Sequence, residues 1–134
     1  VSVEKAAAVL STVVFVGAVA AGLVVSGSPG EQRLRRFDDQ RVSDLMELGR
    51  ALDAYWDSES VLPTSLDLVV DGRRLTRVPV DPATDAAYEY LVDAPDAYRL
   101  CAEFARPSGE DERGDFWAHQ AGRACFSFSA GRDD

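Results

Sequence analysis

Histidine and cysteine are scarce in this sequence of 134 residues, with one of the first and two of the second, and basic side chains number 14 against 23 acidic. Each scarcity excludes something. A general base needs a nucleophile or a polarised water beside it. His119, in Trp117-Ala118-His119-Gln120, has no serine elbow, phosphate loop or second histidine to accompany it. It reads as a packing or hydrogen-bonding residue. Cys101 and Cys125 lie 24 apart with no cysteine beside either, which excludes a zinc-type cluster. A net charge of −9 argues against a nucleic-acid partner, because phosphate binding needs a basic face to displace counterions. Carboxylates are plentiful but follow no spacing that marks a glycosidase pair. We therefore expect no enzyme, no cofactor and no small-molecule substrate.

Charge is also missing from one long stretch. From Ala6 to Gly30 there is no charged residue, so the acidic excess belongs to the remainder. Ala6 to Val25 is a run of about 20 residues, which as a helix spans roughly 30 Å of hydrocarbon. Inside a bilayer a helix keeps every backbone amide satisfied. A cleaved signal peptide is the competing reading, with Lys5 as n-region, Val9–Gly17 as h-region and Ala18-Val19-Ala20 as cleavage site. The apolar run continues past that site through Leu23, Val24 and Val25, so we expect a retained transmembrane anchor over residues 1–30 and a soluble domain over 31–134. Gly17 with Ala21, and Ala18 with Gly22, are four apart and form small-residue faces that let another helix approach closely. The alternative is that alanine and glycine simply fill a weakly specified span.

The soluble part opens at Ser28-Pro29-Gly30-Glu31, where serine caps, proline takes the first helical position and glutamate completes a capping box. Phe37, Leu45, Leu48, Leu52 and Tyr55 then recur at three- and four-residue steps, flanked by Leu34, Val42 and Trp56. This predicts a long amphipathic helix ending near Asp57–Ser60. Gly49 on its edge weakens the helix unless something packs close there. Thr64-Ser65-Leu66-Asp67 signals a second, short helix through Val70, closed by Asp71-Gly72. Residues 73–87, with Pro79, Asp81 and Pro82, read as irregular chain. Three strands follow, at Tyr88–Val92, Tyr98–Phe104 and Phe126–Phe128, the first two joined by a turn at Ala94-Pro95-Asp96. The fold class predicted is α+β: a transmembrane helix continuing into a long amphipathic helix packed on a small three-stranded antiparallel sheet.

A hydrophobic helix running into an amphipathic one resembles the design of pilins and pseudopilins. So do the helix ending Leu52-Asp53-Ala54-Tyr55-Trp56, the entry Val61-Leu62-Pro63-Thr64-Ser65-Leu66, and Asp81-Pro82 before Tyr88-Glu89-Tyr90. Over residues 37–104 the chain looks like the major pseudopilins of type II secretion and like bacterial single-span membrane proteins that share their carboxyl domain. The resemblance implies a pilin-like fold. It implies pilus assembly poorly, because pilins carry a glycine before a phenylalanine-led start and a glutamate at the fifth mature position, whereas this chain opens Val1-Ser2-Val3-Glu4-Lys5. Major pseudopilins use a loop calcium site, and Gly109–Asp115 is an acidic loop in which Glu110, Asp111, Glu112 and Asp115 are the corresponding candidates. These residues do not follow the EF-hand pattern, a solvated acidic loop is the commoner case, and we assign no metal.

Cys101 and Cys125, on adjacent strands, are placed for a disulfide. The alternative is two buried thiols in a reducing compartment. Topology signals conflict. Arg33, Arg35, Arg36 and Arg41 follow the span while only Lys5 precedes it, which favours a cytoplasmic domain. A disulfide favours the periplasm or exterior, and we let it outweigh the arginines. The expectation is a non-enzymatic, single-span structural subunit in the bacterial inner membrane, with a periplasmic acidic domain. It would contact other membrane proteins of a larger complex, of which a respiratory or photosynthetic assembly is an example. Phe116, Trp117, Arg33, Arg35 and Arg36 are the interface candidates. The alternative is a pseudopilin-like subunit of a type II secretion or type IV pilus filament.

Overall fold

A computed structural model describes residues 2–109 and 114–131. The chain divides into two compact units, residues 1–33 and 34–134. The first contains α1, Val3–Ser26, and the start of α2, Pro29–Glu59. α1 is long and apolar enough to cross a membrane, and none of its residues is buried within the chain. Its two hydroxyls are satisfied locally: Ser11 Oγ donates to the Ala7 carbonyl and Thr12 Oγ1 to the Ala8 carbonyl, both at 2.9 Å. Such i−4 bonding is how a hydroxyl is accommodated in a helix that has no other polar partner. Helix geometry breaks at Gly27, whose φ of 77° suits glycine. Ser28 Oγ then caps α2 by accepting from Glu31 N at 3.3 Å, as its sequence predicts. Gln32 Nε2 reaches back to the Ser26 carbonyl at 3.1 Å, satisfying one of the orphan acceptors at the end of α1.

In the second unit α2 lies on a three-stranded antiparallel sheet ordered β1 (Glu89–Ala94), β2 (Ala97–Phe104) and β3 (Gly122–Ser129). This is the α+β arrangement expected. Alternation on β2 sends Tyr98, Leu100, Ala102 and Phe104 to the helix, where they meet Val42, Leu45, Leu48 and Leu52 in one buried core. The helical stripe is narrower than its spacing implies. Phe37, Tyr55 and Trp56 are half-buried and Leu34 is exposed.

Strand β3 runs four residues further toward its start and one beyond its predicted end, because eight consecutive residues of β2, Ala97–Phe104, find partners on it. Its amino-terminal half is polar and small, which hides it from a hydrophobic pattern. The predicted short helix is a 3₁₀ turn, Leu66–Val69, capped by Ser65 Oγ accepting from Asp67 N. Asp71 Oδ1 closes it by accepting from the backbone of Arg73, Arg74 and Leu75, and those bonds hold its carboxyl below the usual range. Leu75 is thereby turned into the core.

Gly49 does face a close neighbour. A Cβ built there stands 3.5 Å from Phe128 Cε1, an ordinary contact, with the Tyr98 hydroxyl next at 3.9 Å. The space holds a methyl group and nothing larger. We predict that Gly49→Ala raises stability by about 0.5–1 kcal/mol through helix propensity. Gly49→Leu should lower it by about 1–3 kcal/mol by overpacking. Urea unfolding of the full chain in detergent reads both, and a destabilised alanine variant would contradict the geometry.

Candidate functional site

The sequence placed Arg41 among the basic residues that follow the span. In the structure Arg41 is buried at 5% exposure, inside a cluster of charges with Asp38 of α2 and Asp81. Its Nε donates to Asp81 Oδ2 at 2.6 Å and Nη2 to Oδ1 at 3.0 Å, while Nη1 donates to Asp38 Oδ1 at 2.7 Å. Each carboxylate holds backbone as well. Asp81 Oδ1 accepts from Ala83 N and Thr84 N, and Asp38 accepts from Ala105 N and Arg106 N. One turn along, Asp44 accepts from the Tyr88 hydroxyl and Gln40 Nε2, both at 2.7 Å. The helix is therefore tied through polar side chains to the 79–87 segment, to Tyr88 at the entrance of β1, and to the end of β2.

The Arg41 guanidinium and the two backbone donors hold the Asp81 carboxyl down at about 2, against the cost of burial. Burial, followed by the bond to Asp44, pushes the Tyr88 hydroxyl well above its ordinary value, so it stays a donor. Burial likewise raises Tyr98, whose hydroxyl has no hydrogen-bond partner among the described residues.

Beyond β2 the chain forms a connection whose base is closed by two residues. Ser108 N donates to the His119 carbonyl and His119 N to Ser108 Oγ, both at 3.0 Å. His119 Nδ1 donates to the Trp117 carbonyl at 2.8 Å, and its ring stacks on Phe104 with centroids 3.7 Å apart. The lone histidine is thus a packing and hydrogen-bonding residue. Trp117 rests on Phe126, half-buried against the core, while Phe116 is 52% exposed and touches Phe126 and Phe128. A cavity of about 100 Å³ lies here, lined by residues including Arg35, Asp38, Arg106, Ser108, Trp117 and His119.

Of the interface candidates, the structure brings Phe116 and Trp117 together and places Arg35 at the same cavity. Arg33 and Arg36 are exposed. Gly17, Ala18, Ala21 and Gly22 are all exposed on α1, and a Cβ at either glycine meets nothing. Cys101 and Cys125 are joined in a disulfide. Glu110, Asp111 and Glu112 lie outside the described residues; Asp115 opens a 3₁₀ turn, Asp115–Trp117. Among the described residues no three metal-ligating side chains are grouped to hold an ion.

Comparison with protein-family models, with curated proteins and with solved structures finds no match to this chain.

Asp81 sets the pH dependence of the charge cluster. Its folded value lies below the ordinary 3.8, so its contribution is complete above that value and is lost as pH falls toward about 2. We predict a stability plateau from neutral pH to about 5 and a decline between about 4 and 2, flattened by Asp81→Asn. At neutral pH Arg41→Ala, which strands two buried carboxylates, should cost about 3–5 kcal/mol. Urea unfolding across pH measures both.

Proposed function

We propose that the chain is a non-enzymatic, single-span accessory subunit of a larger bacterial membrane protein complex, held in the inner membrane by α1. The observation that carries this reading is the state of α1 itself. A helix of 24 residues, long and apolar enough to span a bilayer, buries none of them within its own chain. Its small residues leave room for close approach of a second helix: Gly17 and Ala21 on one line, Ala18 and Gly22 on the next. In this reading the anchor is retained and its partner is another membrane helix.

Two features support the role given to the second unit. It combines a tightly specified core with an acidic composition. Its disulfide suits an exterior, periplasmic location. An energy-transducing complex, respiratory or photosynthetic, is the assembly class in view.

The second reading is a pseudopilin-like filament subunit. What favours it is the packing of one long helix on a three-stranded antiparallel sheet, the arrangement that the resemblance over residues 37–104 implies.

Gentle detergent extraction of the native protein separates the two. Co-migration with a fixed set of other subunits is the expected result; a homopolymer of this chain alone would favour the filament. Replacing Gly17 and Gly22 by leucine should cut recovery of those subunits by about tenfold, the effect of losing 1–2 kcal/mol of helix association. Undiminished recovery would remove the small-residue face from the account.

A further inference from the structure

The disulfide sits on the face of the sheet turned away from α2, and its two sulfurs have unlike surroundings. Cys101 lies on the central strand β2 and is 1% exposed; Cys125, directly opposite it, lies on the edge strand β3 and is partly exposed. On the other side of Cys101 the register places Glu89 of β1. Arg123 of β3 reaches across to that carboxylate, with Nε on Oε1 at 2.9 Å and Nη2 on Oε2 at 2.8 Å. The same Nη2 stands 3.7 Å from Cys101 Sγ.

These positions decide which sulfur can react. A thiolate displaces one sulfur of a disulfide along the extension of the S–S bond, and the other departs as a thiolate. Cys101 is enclosed on the central strand, with the Glu89–Arg123 ion pair on its β1 side. Cys125 lies on an edge strand and is the more exposed of the two, so an incoming thiolate reaches it first. Attack at Cys125 also makes Cys101 the leaving group, and a leaving thiolate beside a guanidinium departs more readily.

We infer that the bridge is a directional thiol-exchange site, at which a low-molecular-weight thiol adds to Cys125 and releases Cys101 as a thiolate next to Arg123. The incoming sulfur bonds to Cys125 Sγ as the Cys101–Cys125 bond breaks, and the electron pair of that bond stays on Cys101 Sγ. One disulfide replaces another, so no external oxidant or reductant is consumed. The product is S-thiolated at Cys125, and return attack by Cys101 restores the bridge. Exchange takes place on the outer face of the sheet, so the helix–sheet core is not opened.

The full chain in detergent micelles, exposed to reduced glutathione near neutral pH and quenched with N-ethylmaleimide, tests this by peptide mass mapping. Glutathione should appear on Cys125 and maleimide on Cys101, in at least about tenfold excess over the reverse pattern. Equal labelling, the reverse pattern, or a bridge that yields no adduct without denaturant would overturn the assignment. Arg123→Gln should slow adduct formation about three- to tenfold, and Arg123→Lys should retain most of the rate. Glu89→Gln removes the same ion pair but keeps the guanidinium, and should not slow the reaction. If Glu89→Gln slows it as much as Arg123→Gln, the ion pair acts structurally and the leaving-group role of Arg123 fails.

Discussion

The Arg41 guanidinium, enclosed by Asp81 and Asp38, fixes where everything else in the second unit sits. Taking three charges out of water costs several kcal/mol per ion, and mutual attraction offsets that only when geometry is good and the remaining lone pairs find donors. Here they do: the Asp81 and Asp38 carboxylates take up four backbone amides between them. The leucines of α2 could tolerate sliding over an apolar sheet, because dispersion and hydrophobic burial are non-directional. A bidentate arginine cannot. Its two parallel bonds to Asp81 demand one rotation and one height of the helix. The Tyr88–Asp44 bond, a turn further along, imposes the same choice a second time.

That constraint explains which parts of the fold were legible in the sequence. Leu45, Leu48 and Leu52 announce the helix because their spacing is local, and Ser28 announces its start for the same reason. The strand Tyr98–Phe104 alternates visibly because one face is core. Arg41 and Asp81, by contrast, are 40 residues apart. Nothing in the neighbourhood of either distinguishes a buried ion pair from two solvated charges, so Arg41 reads from sequence as one more arginine after the span. Asp81 gave a partial trace, since Asp-Pro followed by small residues favours a turn in which its carboxylate accepts backbone amides. The amino-terminal half of β3 was hidden for another reason. Gly122 to Ala124 carries no apolar alternation, and its strand character comes from pairing with β2 rather than from its own side chains. Gly49 was readable as a question only, answered by the ring of Phe128.

The two faces of the sheet divide the work. The inner face carries the core on α2. Among the described residues, the outer face carries the disulfide and the exposed ion pairs Arg99–Asp93 and Arg123–Glu89. Exposed pairs of this kind contribute little stability, so their chemical weight lies in what they stand beside. Arg99 and Asp93 pin the β1–β2 hairpin, whereas Arg123 borders a sulfur. This separation lets chemistry at the bridge proceed while Arg41 continues to hold the helix.

The described residues of the connection between β2 and β3, 105–109 and 114–121, present a surface with an exposed aromatic. The connection is fixed at its start, where Asp38 accepts from Ala105 and Arg106, and its base is closed by Ser108 and His119. Behind its exposed aromatic, Phe116, stand Trp117, Phe126 and Phe128. An aromatic held this way has little conformational entropy left to lose on association, which is where binding by flexible loops is costly. Phe116 is therefore better suited to the proposed docking than Arg36, an exposed residue whose long side chain must be ordered at the moment of contact. Asp38, a member of the charge cluster that seats the helix, also holds the start of this connection, so its placement follows from the way the core is specified.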